Sequence, residues 1–110
     1  MNKKIEFSYK DNDYVLEYDR KSIEIMENNG LDLYAVKSKP ASMISILWQG
    51  AFLKNHRKEK IERIQEIYNN ISNKSDLNAT LTEMVYETYS ALFGDGDGEN
   101  DSKNIDWKMS

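Results

Sequence analysis

Three features of the 110-residue sequence predict an α+β domain of mainly helical content, in which an N-terminal β-hairpin packs on three to four helices. Apolar and polar residues alternate with a period of two from Lys3 to Tyr18, broken once by a turn-forming cluster. Beyond Tyr18 the apolar residues recur at helical spacing in four successive stretches. Finally, 110 residues with one proline and five glycines suffice for one hydrophobic core and are too few for two. The reading is one globular domain over 1–93 and a flexible acidic Gly/Asp tail over 94–110.

The hairpin spans 3–18. Ile5, Phe7 and Tyr9 face one side while Glu6, Ser8 and Lys10 face the other, Asp11-Asn12-Asp13 supplies turn chemistry, and Tyr14, Leu16 and Tyr18 continue the apolar face. A lone hairpin is only marginally stable, so this one must lie on helices. Asp19 is placed to cap a helix over 20–28 that turns Ile23 and Met26 inward, with Gly30 ending it in a left-handed conformation. Leu31 to Lys39 reads as a connector with a short extended piece at Leu33 to Val36. Pro40 suits the first turn of a helix over 40–55, because its missing N–H has no intrahelical partner there. Met43, Ile44, Ile46, Leu47, Trp48, Ala51, Phe52 and Leu53 cover nearly the whole circumference of that helix, leaving Ser42, Ser45 and Gln49 as its polar strip. Such a helix is central, or it is adhesive. It falls short of the roughly 20 apolar residues a membrane span requires.

A helix over 57–72 follows, with Ile61, Ile64, Ile67, Tyr68 and Ile71 on one face and Glu59 and Arg63 as a supporting pair on the other. Asn73 and Ser75 punctuate, and Asp76 opens a last helix over 76–93. Its main stripe is Leu77, Leu81, Met84, Val85, Thr88 and Leu92; Tyr86, Tyr89 and Phe93 form a second, aromatic strip beside it. One small core uses the first strip. The second is in surplus, which makes Tyr86, Tyr89 and Phe93 the first candidates for binding a partner, with Ile105 and Trp107 next.

Composition narrows the chemistry. A net charge of −4 offers no global attraction for phosphate backbones, and the absence of cysteine rules out disulfides and thiolate metal clusters. That usage fits a reducing compartment. The opening MNKKIEFSYK alternates instead of running apolar for the ~7–15 residues of a signal peptide, so secretion is not expected. No nucleophile–base arrangement, paired carboxylates or phosphate-binding loop is present, and the expectation is a non-enzyme without catalytic residues or cofactor. His56, the single histidine, reads as a surface residue lacking metal-ligand companions. The basic junction from Lys54 to Arg63 supports an alternative reading as a small nucleic-acid-binding or regulatory protein, against which stand Glu59, Glu62 and the lack of interleaved aromatics. Asp95, Asp97, Glu99, Asp101 and Asp106 resemble the spacing of a calcium loop, yet Asn100 sits where its glycine belongs and Asp106 where its glutamate belongs. A flexible spacer explains the glycines better than a metal site. Ile105-Asp106-Trp107-Lys108-Met109 is not spacer composition, and it reads either as a peptide docking back on its own domain or as a hook for a partner.

Taken together, KKIEFSYKDNDYVLEYDRKSIEIMENNG, KPASMISILWQGAFLKNHRK, a helix ending in YNNI, a tyrosine-bearing last helix and an acidic glycine tail leading to IDWK make the chain similar to the small tail assembly chaperones of long-tailed phages and prophages of Gram-positive bacteria. The resemblance runs over nearly the whole chain. It rests on the order of segments and on phrases such as QGAFL followed by a basic patch. It implies a non-enzymatic protein of the host bacterial cytoplasm that binds the tape measure protein, keeps it soluble and leaves as tube subunits polymerise. Self-association follows from the same resemblance, as does a longer frameshifted form in which Gly94 to Asn104 is a tether. Neither membrane nor nucleic acid is an expected partner.

Overall fold

A computed structural model of the chain describes residues 3–94, so the tail beyond Gly94, with Ile105, Trp107 and the calcium-like carboxylates, lies outside the described residues. The architecture is α+β and mainly helical: an antiparallel hairpin, β1 (Ile5–Tyr9) and β2 (Asn12–Leu16), precedes α1 (Arg20–Asn28), a 3₁₀ turn (Leu33–Ala35), α2 (Pro40–Ala51), α3 (Ile61–Asn70) and α4 (Lys74–Phe93). No helix of the described residues is long and apolar enough to cross a membrane.

The hairpin turn is tighter than the Asp11–Asp13 cluster suggested. Asn12 and Asp13 already pair with Tyr9 and Ser8, and the two linking residues, Lys10 and Asp11, both adopt positive φ (49° and 68°). This is the backbone of a two-residue turn whose twist matches the strands. Phe7 lies opposite Tyr14, and their rings stack with centroids 5.1 Å apart. The hairpin thus presents an aromatic plate to the helices.

At α1 the local expectations hold. The Asp19 carboxylate accepts from Ser22 N–H (2.8 Å), and Ser22 Oγ accepts from Asp19 N–H (2.8 Å), a reciprocal cap. At the other end Gly30 has φ 107°, Gly30 N–H donates to Glu27 C=O, and Leu31 N–H donates to Met26 C=O. This paired closure uses the left-handed residue that glycine supplies without steric cost. The segment read as extended at Leu33 to Val36 is instead the 3₁₀ turn, because the Asp32 side chain accepts Tyr34 N–H (2.9 Å) and curls the backbone.

The core gathers round α2. Leu47, Trp48, Ala51 and Phe52 are at most 2% exposed, while Ser42, Ser45 and Gln49 point away, Gln49 donating to Ser45 Oγ (3.2 Å). Trp48 touches Phe7 (6.5 Å), Phe52 (5.0 Å) and Tyr68 (5.5 Å) between ring centroids, and its indole N–H donates to Ile64 C=O (2.9 Å). One aromatic side chain therefore joins the hairpin, α2 and α3.

Three helix limits differ from expectation. α2 ends at Ala51 rather than Leu53 to Asn55, since 52–55 are turns that carry the chain across the outer edge of β2. There the Ala51 C=O accepts Glu17 N–H (3.3 Å), His56 Nε2 accepts Val15 N–H (3.0 Å), and Asn55 Nδ2 donates to Val15 C=O (3.1 Å). His56 is thus a structural acceptor, half-buried, and not a free surface residue. Consequently α3 starts at Ile61 instead of Arg57, and Glu59 falls outside it. Its carboxylate accepts from the Tyr14 hydroxyl (2.6 Å), while Arg63 lies 3.9 Å from Glu66, so the expected Glu59–Arg63 helical pair is replaced. Ile61, at the first helical position, is 52% exposed rather than on the buried face with Ile64 and Ile67. α4 starts two residues early, at Lys74, because Asn73 takes the left-handed conformation (φ 60°) that ends the linker.

Where α1 crosses α2, Gly50 is buried and a Cβ there would collide with Sδ and Cγ of Met26, itself buried. Gly50→Ala should lower stability, because overpacking costs about 1–3 kcal/mol and exceeds the roughly 1 kcal/mol alanine gains in a helix. A double-mutant cycle with Met26→Ala, read by urea denaturation, should show the two changes strongly coupled.

The hairpin is also tied down by carboxylates. Glu59 is held below the usual range by the Tyr14 hydroxyl, Glu17 by the Asn55 amide and Lys54, and Glu66 by Lys10 and the Tyr9 hydroxyl. With folded values depressed, this stability is complete above the ordinary glutamate value of about 4.3 and is lost as pH falls through the folded values. Urea midpoints should therefore decline below about pH 4, and Glu59→Gln should flatten that decline.

Candidate protein-docking surface

Tyr86, Tyr89 and Phe93 follow one another at i, i+3 and i+7 on α4, so they share a face. The deeper stripe of the same helix, Leu77, Leu81, Met84, Val85 and Thr88, is buried against the core, with Leu92 half-buried. Of the aromatic strip, Phe93 is 58% exposed and Tyr86 47%, whereas Tyr89 is half-buried and packs on the core's edge.

Neighbouring elements hold these rings in place. The Tyr86 hydroxyl donates to Leu33 C=O (3.3 Å) at the 3₁₀ turn, and the adjacent Tyr34 is 97% exposed. The Tyr89 hydroxyl donates to the Glu27 carboxylate of α1, and burial together with that carboxylate pushes the phenol's pKa up, keeping it neutral. Tyr89 and Phe93 rings lie 5.9 Å apart, and the Arg20 guanidinium sits 5.1 Å from the Phe93 centroid. Toward the start of α4, Asp76, Ala79, Thr80, Thr82, Glu83 and Tyr86 line a shallow trough of about 500 Å³.

The result is an aromatic ridge with one cation and one anion at its base, pre-oriented and open to solvent. Rings fixed by hydrogen bonds and stacking lose little further freedom on binding, which favours them as anchors. Sequence reasoning found its three rings on α4 but not the exposed Tyr34, which follows the Leu33 whose carbonyl Tyr86 reaches. Tyr34 escaped because its segment was read as extended; Asp32 two residues before it was the available sign of a turn.

The alternative basic patch is differently placed. Lys54 Nζ lies 3.3 Å from Glu17 and Arg63 lies beside Glu66, so both cations already serve internal pairs. Lys54 to Glu59 line an open depression of about 530 Å³, with Glu59 among them. Among the described residues no three His, Asp or Glu side chains converge as a metal site. The shifted tyrosines Tyr9, Tyr14 and Tyr18 are raised by contacts that hold the fold: Glu66 for Tyr9, burial and then Glu59 for Tyr14, and burial for Tyr18.

Residues 1–110 match the family model described as a domain of unknown function, DUF5055. The chain belongs to the DUF5055 family. No curated protein and no solved structure matches this DUF5055 chain.

If the ridge is a docking surface rather than core, its members separate by stability. Tyr34→Ser, Tyr86→Ser and Phe93→Ser should each leave thermal unfolding within about 0.5–1 kcal/mol of wild type. Tyr89→Ala, which removes ring packing and a charge-assisted hydrogen bond, should cost about 1–3 kcal/mol.

Proposed function

We propose that this protein is a non-enzymatic tail assembly chaperone of a long-tailed phage or prophage, and that the ridge of Tyr34, Tyr86, Tyr89 and Phe93 covers apolar residues of the tape measure protein. Two lines support the reading: the order of sequence segments similar to those chaperones, and an exposed row of aromatic rings on α4. The second carries the weight. An elongated client with recurring apolar residues is kept soluble by a partner that offers apolar anchors on one side and charge on the other.

The energetics suit transient binding. Burying one large apolar side chain contributes roughly 1.5–3 kcal/mol, so a few rings hold a client reversibly and tube subunits can displace them. Many copies along one client raise affinity through effective concentration.

Co-expression with the tape measure protein of a long-tailed phage should convert an insoluble client into a soluble complex recovered by size exclusion. Tyr86→Ser and Phe93→Ser should each weaken that complex by roughly tenfold or more, the free energy of one lost anchor. A client that stays insoluble with the wild-type chain would remove the proposal.

A further inference from the structure

The hairpin has two edges, and only that of β2 is occupied. Val15 lies opposite Glu6 and turns its N–H and C=O away from β1, to His56 and Asn55. Residues opposite one another in an antiparallel pair either exchange backbone bonds or both direct them outward. Glu6 therefore directs its own N–H and C=O to the far side of β1, and by the period of two so do Lys4 and Ser8. These backbone groups have no partner among the described residues, and all three residues are exposed. Neither Lys4 nor Glu6 makes a salt bridge among the described residues. Lys4 precedes β1 and stays in line with the hairpin, where its charge, behind Asn55 and Lys54, helps hold the Glu17 carboxylate down.

We infer that the β1 edge pairs with the same edge of a second copy, antiparallel about a two-fold axis at Ile5, giving a sheet in the order β2-β1-β1-β2. Charge selects both occupant and register. Outward-bonding residues have to face one another across the new pair, which limits where the axis can pass. An axis at Lys4 or at Glu6 sets like charges face to face, and one at Phe7 sets Lys4 against Lys10 of the other copy. An axis at Ser8 leans on Lys10, a turn residue of positive φ whose ammonium lies 2.8 Å from Glu66. At Ile5 the axis puts Lys4 opposite Glu6 of the other copy, and Glu6 opposite its Lys4. Opposite charges two residues apart thus make the edge complementary to itself. Each of these pairs exchanges both backbone bonds, and the half-buried Ile5 meets its own equivalent across the axis, where side chains approach most closely. The inference goes beyond the chaperone reading and uses β1 instead of α4, so either can fail alone.

The test uses the full chain. Sedimentation equilibrium over a concentration series should show a monomer–dimer equilibrium that weakens with added sodium chloride. Lys4→Glu and Glu6→Lys should each raise the dimer Kd by about tenfold, since each turns attractive cross-strand pairs into repulsive ones. An equimolar mixture of the two variants should restore the wild-type dimer, because the mixed pair is again complementary. Both positions are exposed, so neither change threatens folding. Because the chain has no cysteine, Ile5→Cys should oxidise to a cross-linked dimer, whereas Ser8→Cys, about 20 Å from its equivalent in this register, should not. A chain that stays monomeric throughout would overturn the inference. So would a dimer that both single variants retain, or one that mixing them fails to restore. Glu6 and Ser8 amides that gain protection from hydrogen exchange only when the tape measure protein is added would overturn it too, and would give the edge to that partner.

Discussion

A helix that is apolar almost all round has to be walled in on every side, and α2 sets that requirement for the whole domain. The hairpin covers it through Phe7 and Tyr14, α1 crosses it at Gly50, α3 meets it at Trp48 and α4 closes the remaining flank. The polar atoms trapped by this arrangement are satisfied in place. The Tyr18 hydroxyl donates to Leu47 C=O (2.7 Å) and the Trp48 indole to Ile64 C=O, so enclosing α2 leaves neither buried donor without a partner. Apart from α4, the elements around it are individually short, and their stability comes from this shared wall rather than from propensity.

The same requirement decides which surfaces are left for other molecules. Residues 52–60 have to leave α2 and return to α3, and on the way they tie down the hairpin through Asn55, His56 and Glu59. Lys54, His56 and Arg63 of the basic junction are thereby spent on internal contacts. α4, by contrast, is twenty residues long and needs only its inner stripe for the core. Its outer half carries the aromatic surplus, and α1 and the 3₁₀ turn brace those rings without covering them.

Much of this was legible in the residues. Period-two alternation located the hairpin, Asp19 and Gly30 located both ends of α1, and the spacing of Leu77 to Thr88 separated the inner stripe of α4 from Tyr86, Tyr89 and Phe93. What was not legible depended on contacts between distant segments. Nothing near Phe52 says that the following turns will be drawn across β2, because the pull comes from Val15 and Glu17 some forty residues earlier. Once α2 stops early, α3 starts late, Glu59 exchanges Arg63 for Tyr14, and Ile61 moves from an inner face to a solvent-facing first turn. Tyr34 was hidden for a local reason, an Asp32 side chain that competes for the backbone and bends what its neighbours would extend.

The outward N–H and C=O of Val15 and the N–H of Glu17 are already bonded to His56, Asn55 and Ala51. One margin of the two-stranded ribbon is therefore closed by side chains and a helix end rather than by another strand. Growth of a sheet from copy to copy needs two unfilled margins per copy. Any pairing through the other margin would stop at a closed couple, and the chain is protected by this from running into fibres.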